Sequence, residues 1–298
     1  MQGCPIVGVK GACRSAQRRI AGDVMAFEPT FDPGYFADPF LRLASEYPGS
    51  DVYPVDAFRV EWGPIFHRGR LDGSARVLVI GQDPAAHEAI ARRILVGEAG
   101  QRFQGFLAKL GITRSYVMIN TFLYSVYGQS GGEDHVNDAA IATERHKWLD
   151  ALTANARLEA IVSLGHLADA AYQTWRGTPS GAACDAKYVN VLHPTYPDSA
   201  SRSGTITKAA AFEKLCENWN LGLKALDGHV TPDHATPLHL YGTTITAAEH
   251  AAIPTIDLPA GLPVWTTSLK SWATRTGATA DAKRATITVT IPADSRPW

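Results

Sequence analysis

The sequence predicts an α/β protein, a three-layer α/β/α sandwich around a central four-stranded parallel sheet, followed by a C-terminal extension. Three observations lead there. Four short apolar runs rich in β-branched residues recur along the chain, Arg76–Ile80, Tyr116–Asn120, Ala160–Leu164 and Tyr188–Leu192. Runs this short and this continuous suit strands covered on both faces. Helical patterns fill the intervals, at Ala85–Val96, Phe103–Leu110, Asn137–Ala154 and His166–Trp175. That alternation is the signature of a parallel sheet with right-handed crossovers. Finally, two of the runs empty into loops with chemistry in them, Gly81-Gln82-Asp83-Pro84-Ala85 and His193-Pro194-Thr195-Tyr196-Pro197. Ligands bind at the carboxyl ends of such strands, so Asp83 and His193 can face one cleft.

In chain order, residues 1–24 contain scattered Lys and Arg but no continuous apolar stretch, and read as a flexible leader rather than a secretory signal. Residues 25–226 form the predicted α/β domain. It closes with a helix over Thr207–Leu226, where Thr207 is a plausible N-cap and Ala210, Phe212, Leu215, Trp219 and Leu223 supply an apolar stripe. From Asp227 to Trp298 the composition shifts to Thr, Ala and Pro, and an alternating run, Ala285–Ile291, predicts a strand. This stretch is expected to pack on the core as an extension. Its histidines, His229, His234, His239 and His250, show no metal-ligand periodicity.

Composition narrows the function classes. No apolar run approaches the ~20 residues needed to span a bilayer, so no membrane partner is expected. The cysteines Cys4, Cys13, Cys184 and Cys216 form no CxxC and no zinc-like spacing; reduced thiols in a cytoplasmic protein are the expectation. A net charge of −1 argues against a globally basic nucleic-acid coat but leaves room for a local basic face. The basic residues Arg92, Arg93, Arg102, Lys109 and Arg114 read, taken alone, as a solvated helical surface.

Single residues are ambiguous here. Asp83 before Pro84 fits an Asx-type turn at the head of a helix as well as it fits a catalytic carboxylate. His193-Pro194 fits a turn with a satisfied imidazole. Asn120, closing Val117-Met118-Ile119-Asn120, could read a nucleobase edge or cap a loop. Phe103, in Gly100-Gln101-Arg102-Phe103-Gln104-Gly105, is either core or a stacking platform.

Taken in order, five pieces resemble the uracil-DNA glycosylase superfamily: Gly81-Gln82-Asp83-Pro84, Arg102-Phe103-Gln104-Gly105, Ile119-Asn120, Val162-Ser163-Leu164-Gly165 and His193-Pro194-Thr195, spanning roughly Ala75 to Leu226. The resemblance implies a monofunctional glycosylase that flips deoxyuridine out of DNA and hydrolyses its N-glycosidic bond, leaving an abasic site. It implies that Asp83 positions the attacking water and that His193 hydrogen-bonds the departing base. It further implies that Asn120 reads the base, that Phe103 stacks on it and that the backbone near Gln82 adds hydrogen bonds. Gly165, Tyr196, Pro197, Ser199 and Arg202 would contact DNA, with Tyr196 or Pro197 as the candidate apolar wedge. No metal or cofactor is expected, the partners are uracil-containing and abasic DNA, and a monomer is expected.

Two departures from the family pattern stand out. The commonest branch places a Tyr where this chain has Ala85, so exclusion of thymine comes from another group, near Gly105 or in the Ala86–Arg93 helix, or it is weaker. The branch with a cysteine-bound iron–sulfur cluster has a ligand after the Asn strand, where this chain has Phe122-Leu123-Tyr124, so no cluster is expected. The alternative reading is a non-catalytic binder of uracil or abasic DNA with the same fold, but such a binder has no need of Asp83. An unrelated α/β hydrolase would want its nucleophile on a strand-end elbow, and Ser163-Leu164-Gly165, at the end of the third run, lacks the flanking residues of one.

Overall fold

A computed structural model describes residues 35–128, 130–154 and 157–296. The expected leader, residues 1–24, lies outside the described residues.

The sheet has five strands, not four. They are β1 (His67–Gly69), β2 (Val77–Gly81), β3 (Tyr116–Asn120), β4 (Ala160–Leu164) and β5 (Lys187–Val191), in the spatial order β1-β3-β2-β4-β5. The four expected runs are the parallel strands; β1 adds an antiparallel edge, pairing His67 with Ile119 and Gly69 with Val117. A His-Arg-Gly strand carries no apolar run, which is why periodicity does not reveal it. The helices are α1 (Phe40–Ser45), α2 (Ala86–Ala91), α3 (Glu98–Lys109), α4 (Ser130–His135), α5 (Ala139–Ala154), α6 (His166–Arg176), α7 (Pro179–Ala183), α8 (Tyr196–Arg202), α9 (Lys208–Leu226) and α10 (Ala280–Arg284).

Because side chains alternate across a strand, each strand supplies two cores. Val77 and Val79 of β2, with Met118 and Val162, pack against Phe103, Phe106 and Leu107 of α3 and Leu215, Trp219 and Leu223 of α9. Leu78 and Ile80, with Val117, Ile119 and Ile161, pack against Trp148 and Leu149 of α5 and Tyr172 and Trp175 of α6. Three layers result. Thr207 caps α9 as expected, accepting from the Ala210 N–H at 3.2 Å.

The helix expected over Ala85–Val96 stops at Ala91. Arg92 and Leu95 take positive φ of 56° and 51°. The turn survives because its polar groups are met: Glu88 accepts from the N–H groups of Ala85, Val96 and Gly97, and Arg92 donates to the carbonyls of Trp62 and Pro64.

The extension wraps the domain in short turns. Val230, Tyr241 and Ile245 join the α3/α9 core, while Ile253, Leu258, Trp272 and Ala273 cover Ala86, Ala91 and Val96. Asp233 accepts from the N–H groups of Thr113, Arg114 and Ser115 and pairs with Arg76. Asp257, only 1% exposed, ion-pairs with Arg68 and Arg70 and accepts from the Tyr116 hydroxyl. The strand expected over Ala285–Ile291 shrinks to β7 (Thr288–Val289), paired with β6 (Ala273–Thr274) in a two-stranded ribbon whose strands are joined through α10. Its alternating residues have no second sheet to cover them.

Candidate active site

The chain leaves β2 toward β3 on one side and reaches β4 on the other, so the strand order reverses between β2 and β4. Open parallel sheets bind ligands at that crevice. A cleft of about 780 Å³ opens there, lined by Gln82, Asp83, Gly165, His193, Tyr196, Ser199 and Arg202 among the expected residues. Ala85, Glu88, Leu95, Ala99, Asp169, Asn190 and Arg275 complete much of its wall.

Asp83 stands two residues past the end of β2, and its Oδ2 accepts from the Val126 N–H at 3.0 Å. Burial raises its carboxyl to about 6, and Glu88 adds to the rise. The Val126 N–H, the Arg275 charge and the Gln82 side chain oppose it. A carboxylate poised this close to neutrality suits a general base.

His193 follows β5. The Thr195 N–H points at its Nδ1 from 3.3 Å, and the Thr195 hydroxyl lies 2.8 Å from the same atom. A backbone N–H can only donate, so Nδ1 carries the lone pair and Nε2 carries the proton. Burial, and then the nearby Arg102 charge, lower the imidazole pKa to about 4, so the ring is neutral near pH 7. Two further features fix this loop. Gly165 sits at φ 86° with the His193 Cβ 3.2 Å from where its own Cβ would stand, so a glycine is required there. Buried Arg102 donates to the Pro194 carbonyl at 2.7 Å and pairs with Asp198 and Glu98.

Arg102 was expected on a solvated surface. It is instead the pin of the His193 loop, while Arg92 braces the α2 turn and Lys109 pairs with Glu249 of the extension at 2.9 Å. Hydrophobic periodicity cannot show this, because the carbonyls these groups meet lie far away in sequence.

Three expected residues do not line the cleft. Phe103 is fully buried, stacked on Phe106 at 5.0 Å and edge-on to Trp219, so it is core and not a stacking platform here. Pro197 is buried in the first turn of α8 and cannot serve as a wedge; Tyr196, half-buried on the cleft wall, is the remaining candidate. Asn120 stands behind the wall, opposite Gly81 in register. Its Oδ1 is buried without a hydrogen-bond partner, 2.3 Å from where a Cβ on Gly81 would be, with Leu95 alongside. Gly81 is therefore required by close approach. Gly105, considered as a thymine barrier, faces the Glu249 carbonyl of the extension rather than the cleft.

Sequence reasoning missed Glu88, Leu95 and Arg275 as parts of the wall. For Glu88 the signal was present, an acid three residues after the N-cap position of a helix. For Arg275 there was none.

A family model described as the uracil DNA glycosylase superfamily matches residues 68–219, about half of the chain. No curated protein matches.

Proposed function

The chain belongs to the uracil DNA glycosylase superfamily, and from that premise we propose that it excises uracil from DNA by hydrolysis of the N-glycosidic bond of deoxyuridine. The observation that carries the reading is the pairing, on one cleft, of a carboxylate poised near 6 with a neutral imidazole whose donor nitrogen is defined. The flipped nucleotide would place its sugar toward Asp83 and its base toward His193. As the N1–C1′ bond breaks, its electron pair leaves with the base and the sugar gains oxocarbenium character. The Asp83 carboxylate stabilises that cation and takes the proton of the water that attacks C1′. The His193 Nε2–H donates to the base oxygen on which negative charge collects, the logic of an oxyanion hole.

The preference for uracil follows from the resemblance and from one atom. Asn120 Oδ1, buried without a partner just behind the wall, would accept the N3–H that uracil has and cytosine lacks once the wall beside Leu95 moves aside for the base. The partners are then uracil-containing DNA and the abasic product. The test is incubation with uracil-, thymine- and hypoxanthine-containing oligonucleotides, then alkali and a gel. Cleavage confined to the uracil strand, abolished by Asp83→Asn, is expected. An uncut uracil strand, or equal cutting by Asp83→Asn, defeats the reading.

A further inference from the structure

A second cleft, about 570 Å³, opens beside the first and shares Ala85, Gly128 and Arg275 with it. Its charged lining has one sign: Arg59, Arg275, Lys283 and Arg284, with no carboxylate. Among the described residues, none of these four forms an ion pair.

The group is assembled with some care. Arg59 is 1% exposed, and its guanidinium carbon lies 4.1 Å from the centre of the Tyr127 ring and 4.6 Å from that of Trp62. Arg284 lies 4.7 Å from the same Tyr127 ring. Arg59 Nη1 donates to the Arg284 carbonyl at 3.3 Å, while its Nε is buried with no partner. Burial, and then the charge of Arg275, push the Arg59 pKa down, with Arg284 adding to the effect. Glu61, which opposes them, already accepts from the Tyr127 hydroxyl at 2.9 Å. Like charges gathered this way repel, and an anion seated among them relieves the repulsion.

The position of the groove says which anion. It continues the cleft at its Ala85 edge, where a strand whose nucleotide sits in the cleft must run out over the protein. All four cations also lie outside residues 68–219, so the groove is this chain's addition to the family domain.

We propose that this groove is a phosphate-binding path, supplied mainly by the C-terminal extension, in which the exposed Arg275, Lys283 and Arg284, backed by the buried charge of Arg59, take the DNA backbone beside the nucleotide held at Asp83. The strand's placement rests on the excision reading, so the test uses DNA without uracil. Affinity of the full-length protein for a labelled undamaged duplex is measured by anisotropy across a salt series. The proteins compared are the parent, Lys283→Ala/Arg284→Ala, Lys283→Arg/Arg284→Lys, and a charge-matched control, Lys187→Ala/Lys224→Ala. The control residues are exposed; Lys187 opens β5 at the end of the sheet away from the cleft. Each phosphate contact contributes about 0.9 to the slope of log affinity against log salt on duplex DNA. The groove double variant is expected to weaken binding to all sequences alike and to lower that slope by about 1–2. The charge-preserving exchange and the control are expected to keep the parent slope. An unchanged slope in the groove variant, an equal loss in the control, or no salt-dependent binding by the parent overturns the proposal. A parent that binds undamaged DNA through this groove yet leaves uracil in place sinks the excision reading alone.

Discussion

At the scale of single residues, Asp83 is held between opposing demands. Burial keeps its carboxyl near 6, and the deprotonated form is the one that can take a proton. Single-turnover excision is therefore expected to rise with pH through about 6 and to flatten above it. Arg275→Ala removes a cation that holds the carboxyl down, so it should move that limb to higher pH. A limb that stays put in Arg275→Ala argues that Arg275 does not act on the base. The same burial carries a stability cost. The folded pKa lies above the unfolded value of 3.8, so Asp83 favours the native state in acid and loses that contribution as pH rises through about 6. Asp83→Asn keeps an oxygen for the Val126 N–H and removes the buried charge. It should abolish cleavage while gaining about 1–3 kcal/mol at pH 7. Calorimetry on both proteins at pH 5 and pH 7 checks the sign, since the gain should shrink in acid. His193→Ala should cost about 3–4 kcal/mol of barrier, roughly two to three decades in single-turnover rate, and spare binding to abasic DNA. A variant that cleaves normally but melts earlier would make His193 a turn residue only.

At the scale of elements, what could be read from the chain depended on where each residue's partner lay. The parallel strands were legible because burial on both faces writes itself as an unbroken apolar run, as in Val77–Ile80. Strand β1 was not legible, because its Arg68 is buried against Asp257, Tyr116 and Gln104 rather than by local pattern. The α2 turn was hidden for the same reason: Glu88 closes it by reaching the N–H groups of Val96 and Gly97. The loops carrying Asp83 and His193 were legible because strand ends announce them. Phe103 was misplaced although the sequence held its true address. Phe103, Phe106, Leu107 and Leu110 recur at helical spacing, which describes a core face. Phe103→Leu should accordingly lower the melting temperature yet leave the excision rate and affinity of the folded protein intact. A raised KM at unchanged stability would return it to the base pocket.

At the scale of the whole molecule, the family domain and the extension are joined by charge as well as by apolar contact. Arg68 and Arg70, both buried, have Asp257 as a shared carboxylate, and the Tyr116 hydroxyl donates to it. Removing one member of such a group strands the others in a medium that solvates them poorly, which typically costs about 3–5 kcal/mol. His87 of α2 adds a second tie, its Nε2 lying 3.3 Å from the N–H groups of Trp272 and Ala273, with its ring edge-on to Trp272. The extension is thus part of what makes residues 68–219 stable, and it also brings Arg275 to the wall of the Asp83 cleft. Deleting residues 227–298 would expose the apolar surface that Val230, Tyr241 and Ile245 cover and leave Arg68 and Arg70 without their carboxylate. The truncated chain is expected to be insoluble or to lack a cooperative melt. Asp257→Ala in the full chain should reproduce a large part of that loss by itself. Because Asp257 lines neither cleft, the variant's folded fraction should still cleave at the parent rate. A truncation that melts cooperatively at the parent temperature would mean that the extension merely rests on the domain, and that its role is confined to DNA.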